Sequence, residues 1–360
     1  MLARMRTGRA DLPLHTGRAP AWLFERMRSL AREIGRAVVE EEGPHGLLRR
    51  AADPFWFQAF GCVLGFDWHS SGLTTTACGA LKEGLRPLSR ELGIVVAGGK
   101  GKTSRRTPSE IESACDSIGL DPAPLVRASR LSAKVDSSAV QDGYEVYHHS
   151  FLFSSDGAWT VVQQGMNQAN GMARRYHWHT APTFVSDPHA GVAGRVEKDV
   201  TNLVAAAGAR NREVSVELAR EAPAKVSGEI LRMRSLEMPR HHFVRFADLH
   251  PDRVERVLLK AYEAQPEDYT SLLAVPGVGA KGLRALALVA EVTYGAPASV
   301  KDPVSFSFAH GGKDGTPFPV DRTTYDATIE SLKKAVDEAK AGRSEKRDAL
   351  RRLARLGDPA

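Results

Sequence analysis

The residues with the clearest chemistry form a short run in the last third of the chain, between two segments of helical periodicity. The run consists of Pro276, Gly277, Val278, Gly279, Ala280 and Lys281. Glycines permit a tight turn and a close backbone approach, and the helix that follows begins with unsatisfied N–H groups and a partial positive charge. Such a surface binds anions, and phosphate contacts hold a DNA strand without reading its sequence. We therefore expect a helix-hairpin-helix that contacts DNA, above all duplex DNA, with an ordinary helical hairpin as the alternative.

A resemblance gives two residues in and after this run catalytic roles. Residues 235–337 resemble the endonuclease III-like helix-hairpin-helix superfamily of DNA glycosylases. In that superfamily a lysine two residues after the second hairpin glycine is the nucleophile of the bifunctional members, and an aspartate in a Val-Asp pair is the catalytic acid. Lys281 and Asp321 occupy the matching positions. The resemblance implies a DNA-repair enzyme of the glycosylase/AP lyase type. It implies no iron–sulfur cluster, because the cluster-binding cysteines of some relatives are absent.

The chemistry of this pair of residues is coherent. A lysine that attacks a sugar carbon must be neutral, and a nearby carboxylate can take the proton and stabilise the positive charge that develops as the base leaves. The base has to be flipped out of the stack to reach both groups. Alternatively, Lys281 pairs with a phosphate and Asp321 caps a helix, and the protein is then a non-enzymatic DNA-binding adaptor.

A second catalytic reading rests on histidines and acids in the first half of the chain. His177 and His179 are two residues apart in an expected strand, so both side chains point to one face, and Asp142 belongs to the same β-rich region. Metal-dependent strand scission needs converging metal ligands, carboxylates above all. A nuclease that binds a divalent metal through these three residues is the alternative to the glycosylase, which itself requires no cofactor.

A glycine-rich basic loop follows an expected strand at residues 98–106. A nucleotide-binding phosphate loop would require glycine at position 96, where this chain has Val96, so that interpretation is set aside. We expect the loop instead to contact DNA phosphates through Lys100, Lys102 and Arg105. The helix after the loop has a capping-box pattern, with Thr107 as the N-cap and Glu110 three residues later.

The pattern of elements predicts an α+β fold. Residues 1–195 are expected to form a mixed domain that contains an antiparallel β-hairpin, with strands at residues 144–153 and 158–164 joined by an Asp-Gly turn. Residues 196–340 are expected to form a helical domain that carries the helix-hairpin-helix, and residues 341–360 a basic tail. The role of the first domain stays open.

Composition limits the class of protein. The chain has 49 Lys and Arg against 43 Asp and Glu, a net charge of +6 that permits binding to nucleic acid. Its three cysteines are too few and too irregularly spaced for a disulfide framework. The sequence has no apolar run of membrane-spanning length and no signal peptide, so we expect a cytoplasmic protein without a membrane partner.

Over its whole length the chain closely resembles an uncharacterised prokaryotic family, a domain of unknown function. The resemblance is carried above all by residues 6–15 and by the block that starts at Asp136 and ends at Asn167. It implies no particular activity.

Overall fold

The computed structural model describes most of the chain. The described residues are 12–14, 19–66, 71–181, 183–233, 251–305, 329–330, 332–334, 336–337, 346 and 349. Asp321 and nearly all of the expected basic tail lie outside them.

The first part of the chain is helical. It contains α1 (Ala21–Ala52), α2 (Pro54–Leu64), α3 (Gly72–Leu85) and the single turn α4 (Ser89–Leu92). Helix α1 is bent at Gly43, whose φ of 73° is not helical and which precedes Pro44. Helix α2 starts where the Asp53 carboxylate accepts a hydrogen bond from the backbone N–H of Phe55 at 2.8 Å.

An antiparallel sheet forms the centre of the molecule. Its strands are β1 (Ile94–Lys100), β3 (Glu145–Ser154), β4 (Trp159–Asn167), β5 (Met172–His179) and β6 (Gly191–Ala193), in that spatial order. Two short strands, β2 (Val140–Gln141) and β7 (Thr201–Asn202), pair separately. The predicted β-hairpin is confirmed, because β3 and β4 are joined by a tight turn in which Gly157 has a φ of 89°.

The remaining helices are α5 (Thr107–Ile118), α6 (Ala123–Lys134), α7 (Ala209–Ala219), α8 (Pro223–Met233), α9 (Pro251–Ala264), α10 (Tyr269–Ala274) and α11 (Ala280–Tyr294). A mixed α+β fold with an antiparallel sheet is therefore confirmed. No helix in the described part of the chain combines the length and the apolar character that crossing a membrane would need.

Helices cover both faces of the sheet. Leu152 and Val162 pack with α1, α2 and α3, whereas Phe151 and Val161 pack on the opposite side with α5, α6 and the helices after β7. The second hydrophobic cluster runs from Ala97 to Ala296 and so contains residues on both sides of position 195. The division into two domains at that position stays a prediction.

The start of α5 differs from the expected capping box. The helix begins at Thr107 itself, whose hydroxyl donates to the carbonyl of Ser104 at 2.7 Å. The Glu110 carboxylate accepts from the backbone N–H of Gly98 at 2.8 Å and from Lys82 Nζ at 2.6 Å. The capping box was a wrong prediction, because tertiary partners in β1 and α3 take the carboxylate that a cap would use.

Candidate functional site

The turn between α10 and α11 faces solvent on one side and the core on the other. Helix α10 starts with a reciprocal cap in which Ser271 N donates to the Asp268 carboxylate at 2.6 Å and Asp268 N donates to Ser271 Oγ at 2.9 Å. Pro276 and Gly277 are exposed, whereas Val278 is fully buried in the core. The inner side of the turn is therefore held in the core by Val278, while Pro276 and Gly277 face solvent.

Gly277 has the backbone conformation that requires glycine. Its φ is 88°, a left-handed value that side chains with a Cβ rarely adopt. A Cβ at this position would also lie 2.8 Å from the Nζ atom of Lys260, which places that ammonium group directly beside the turn.

The first N–H groups of helix α11 are not used by the helix itself. Its first backbone hydrogen bond runs from Leu283 N to Gly279 O at 3.0 Å, so the N–H groups of residues 280–282 precede the helical pattern. Lys281 is exposed in this first turn. The Gln141 side chain of β2 donates to the carbonyl of Ala280 at 2.8 Å and accepts from Arg284 Nε at 2.5 Å, which fixes the helix end on the small sheet.

A basic groove borders the same turn, and we call it the α6 groove. It has a volume of about 560 Å³ and lies between α6 and the segment from Leu273 to Pro276. Arg127, Arg130 and Lys134 line it, together with one acidic residue, Glu112, and several apolar side chains. Burial lowers the pKa of Lys134. The groove therefore places three cationic side chains next to the turn.

The basic loop lies elsewhere. Lys100 ends β1, and Lys102 and Arg105 lie in the 3₁₀ turn Gly101–Arg106; all three are exposed. None of them lines the α6 groove. Lys100 lines a different cavity between α1, α3 and β1. The structure thus does not gather the expected DNA-contacting cations into one site.

The three residues proposed as metal ligands are not brought together. His177 and His179 share the face of β5 that packs towards α1, whereas the Asp142 carboxylate binds Tyr176 and Arg174, which project from the opposite face. His177 Nδ1 donates to the carbonyl of Ala51 at 2.9 Å. Among the described residues, no cluster of three His, Cys, Asp or Glu side chains could hold a metal ion.

The pKa values of both histidines are lowered, which favours the neutral imidazole. Burial, reinforced by Arg175, lowers the pKa of His177 well below its usual value. Burial also lowers the pKa of the half-buried His179, with Arg49 and His45 adding to the effect. The Asp142 carboxylate accepts from Arg174 and from the Tyr176 hydroxyl, both at 2.7 Å, in a fully buried ion pair.

A second buried network, centred on Asp136, was not anticipated as a unit. Its carboxylate accepts from Gln163 at 2.5 Å and from the Trp178 indole at 2.9 Å, and lies 2.6 Å from His189 Nε2. The network continues from Gln163 to His149, which lies 2.9 Å from Ser129 Oγ. Sequence reasoning missed this network because Asp136 and His189 are far from Gln163 and Trp178 in the chain, so no local pattern joins them.

Comparison with known proteins identifies a family. A family model described as DUF763, a protein of unknown function, matches residues 8–320. No curated protein and no solved structure matches the chain. The family match covers most of the 360 residues and agrees with the expected whole-length resemblance. The chain therefore belongs to the DUF763 family.

Proposed function

We propose that this protein binds duplex DNA through a helix-hairpin-helix formed by α10, the turn at residues 275–279 and α11. The observation that carries the proposal is the position of this turn beside the three cations of the α6 groove. Backbone N–H groups at a helix start and nearby Lys and Arg side chains are the groups that hold phosphates. The binding is largely independent of DNA sequence.

The turn supplies the first phosphate site. The N–H groups of residues 280–282 precede the helical hydrogen bonds, and Lys260 and Lys281 add positive charge beside the turn. Gly279 leaves the space in front of the helix empty, since a Cβ there would meet nothing within 4 Å. A phosphate can therefore approach the backbone closely.

The α6 groove supplies a second contact region. Arg127 and Arg130 are exposed on α6, and Lys134 lies one turn further along the same side of the helix. Only Glu112 offsets their charge within the groove lining. Two phosphate-binding regions side by side support a duplex as the ligand, because a duplex presents two backbones.

Fluorescence anisotropy with a labelled duplex tests the binding. Replacing Arg127, Arg130 and Lys134 by alanine is expected to weaken the affinity for DNA. It is also expected to reduce the slope of log K against log salt concentration by about two to three, which corresponds to the loss of two to three phosphate contacts. The matched control removes three other exposed arginines, Arg86, Arg90 and Arg210. Equal effects in both triple variants, or no binding by the wild-type protein at low salt, would reject the site.

The reaction we propose for this DNA-bound state is that of a glycosylase/AP lyase in DNA repair. Lys281 supplies the amine, and Asp321, which lies outside the described residues, the carboxylate. Attack of the neutral amine on C1′ of an abasic site releases water and leaves an imine, which borohydride reduces to a stable adduct. The test is borohydride trapping on duplex DNA with an abasic site.

Two lysine variants sharpen this test. Loss of the trapped adduct in Lys281→Ala supports the proposed nucleophile. Loss in Lys134→Ala alone transfers the role to the groove lysine, whose amine is already partly desolvated. Binding without any adduct overturns the lyase reaction and leaves the hairpin as a DNA anchor.

A further inference from the structure

A second cavity lies on the other side of the central sheet from the α6 groove. It has a volume of about 420 Å³ and lies between α1, α3 and the end of β1. We call it the β1 cavity. Its lining includes Phe24, Arg28, Lys82, Lys100, Thr103 and Ser150. A volume of this order suits a ligand of nucleotide size.

The end of β1 is shaped by two consecutive glycines. Gly98 and Gly99 have φ values of 86° and 146°. A Cβ on Gly98 would lie 2.2 Å from the carbonyl oxygen of His149, so the backbone of β1 approaches β3 closely only because this residue is glycine. Both glycines line the β1 cavity, and their backbone forms part of its wall.

Lys82 is held in place at this wall. Its Nζ atom donates to the carbonyl of Gly98 at 2.8 Å and to the Glu110 carboxylate at 2.6 Å. An ammonium group has three N–H donors, so one remains for a ligand. Because two hydrogen bonds already position the group, binding a ligand would cost little additional side-chain entropy.

Positive charge exceeds negative charge in the lining. Arg28, Lys82 and Lys100 line the cavity against one acidic residue, Glu83. Arg28 pairs with Glu25 and Lys82 with Glu110, both outside the lining. Lys100 forms no salt bridge within the described residues; its Nζ lies 5.6 Å from the centre of the Tyr147 ring. Lys100 is therefore the cation most available to an anionic ligand.

The cavity lining also includes the hydroxyl of Ser150 and the thiol of Cys78. Ser150 Oγ lies 3.0 Å from His148 Nε2, and burial lowers the pKa of His148 to about 3. Burial raises the pKa of the adjacent Cys78 thiol to about 12. At neutral pH the imidazole and the thiol are therefore both neutral, and neither repels an anion.

We propose that the β1 cavity binds the phosphomonoester of a nucleotide. Lys82, Lys100 and Thr103 hold the phosphate, and the partly buried Phe24 ring packs against the base. The ligand is either a free mononucleotide or the phosphorylated end of a DNA strand, which share this chemistry. This site is separate from the hairpin and does not depend on DNA binding there.

Calorimetric titration with deoxyadenosine monophosphate tests the proposal in the full-length protein. Lys100→Ala is expected to weaken binding at least tenfold. Lys102→Ala removes the same charge two residues away, outside the cavity lining, and is expected to leave the affinity within twofold. Deoxyadenosine, which lacks the phosphate, is not expected to bind. No binding at millimolar nucleotide, equal losses in both variants, or equally tight binding of inorganic phosphate would overturn the proposal.

A second measurement separates the two sources of the ligand. Single-stranded oligonucleotides with a 5′-phosphate or a 5′-hydroxyl compete with the mononucleotide in the variant that lacks Arg127, Arg130 and Lys134, so that the α6 groove does not contribute. Competition by the phosphorylated strand alone identifies a strand end as a ligand. Competition by neither strand identifies a free nucleotide. Equal competition by both strands would contradict a phosphomonoester site.

Discussion

Charged side chains are buried and paired in the interior of the sheet, whereas they are exposed at the rim around the α10–α11 turn. Inside the sheet, Asp136, Asp142 and Arg174 are fully or almost fully buried and their charged groups bind protein partners. At the rim, Arg127, Arg130 and Lys281 are exposed. The comparison teaches that residue types typical of catalysis can also serve stability when they are buried and paired.

The largest expected effect tests the structural half of this comparison. Asp142→Ala leaves the buried Arg174 guanidinium with one carboxylate, Asp302, where it had two. Breaking a buried ion pair from one side costs about 3–5 kcal/mol. We expect a loss of this size in the free energy of unfolding measured with urea.

An exposed aspartate provides the control for Asp142. Asp156 pairs with His45 at the surface of the β3–β4 turn, and a surface pair contributes at most about 1 kcal/mol. Asp156→Ala should therefore cost much less than Asp142→Ala. Similar losses in the two variants would contradict a structural role for the buried pair. A functional role for Asp142 would then have to be tested.

The loss of stability at acid pH is the next largest expected effect, and it also arises from buried residues. Burial lowers the pKa of His148, His149 and His177 in the folded protein, to about 3 for His148. Below the unfolded pKa of about 6.5 the unfolded chain binds more protons than the folded protein, so stability falls as the pH falls. Each histidine contributes a slope of up to about 1.4 kcal/mol per pH unit in this range.

Urea unfolding between pH 7.5 and 4.5 measures this slope. His177→Gln removes one titrating group and is expected to flatten the dependence of stability on pH below 6.5. The exposed His45 serves as the comparison, because His45→Gln leaves the three buried imidazoles unchanged. A wild-type stability that is constant from pH 7 to 5 would show that these histidines are not held neutral in the interior.

The difference between interior and rim also explains how far the sequence predicts the structure. The β3–β4 hairpin was predictable because a period of two and an Asp-Gly turn are local signals. The structure does not bring His177 and Asp142 together because side chains alternate along a strand: Asp142 contacts Tyr176, which points to the face opposite that of its neighbour His177. Arg174 and Arg175 are fully buried, although arginine is usually exposed.

The candidate site was predictable only in part. Residues 276–281 mark a turn between helices because glycine and proline are strong local signals. The α6 groove combines this turn with Arg127 and Arg130, which are far away in the chain, so no local pattern could join them. Glu110 shows the same limit at smaller scale, since a contact with Gly98 replaced the expected local cap.

The smallest expected effect on stability tests the rim. Gly279→Val places a side chain in front of α11, where a Cβ would meet nothing within 4 Å. The φ of Gly279 is −119°, an extended value that valine adopts readily, so stability should change by no more than about 0.5 kcal/mol.

DNA affinity should fall about tenfold or more, because the new side chain keeps a phosphate from the backbone N–H groups. Gly228→Val in α8, where a Cβ also meets nothing within 4 Å, is the matched control and should bind like the wild type. If Gly279→Val binds DNA normally, the start of α11 is not a phosphate site. The proposed DNA contact would then be limited to the α6 groove.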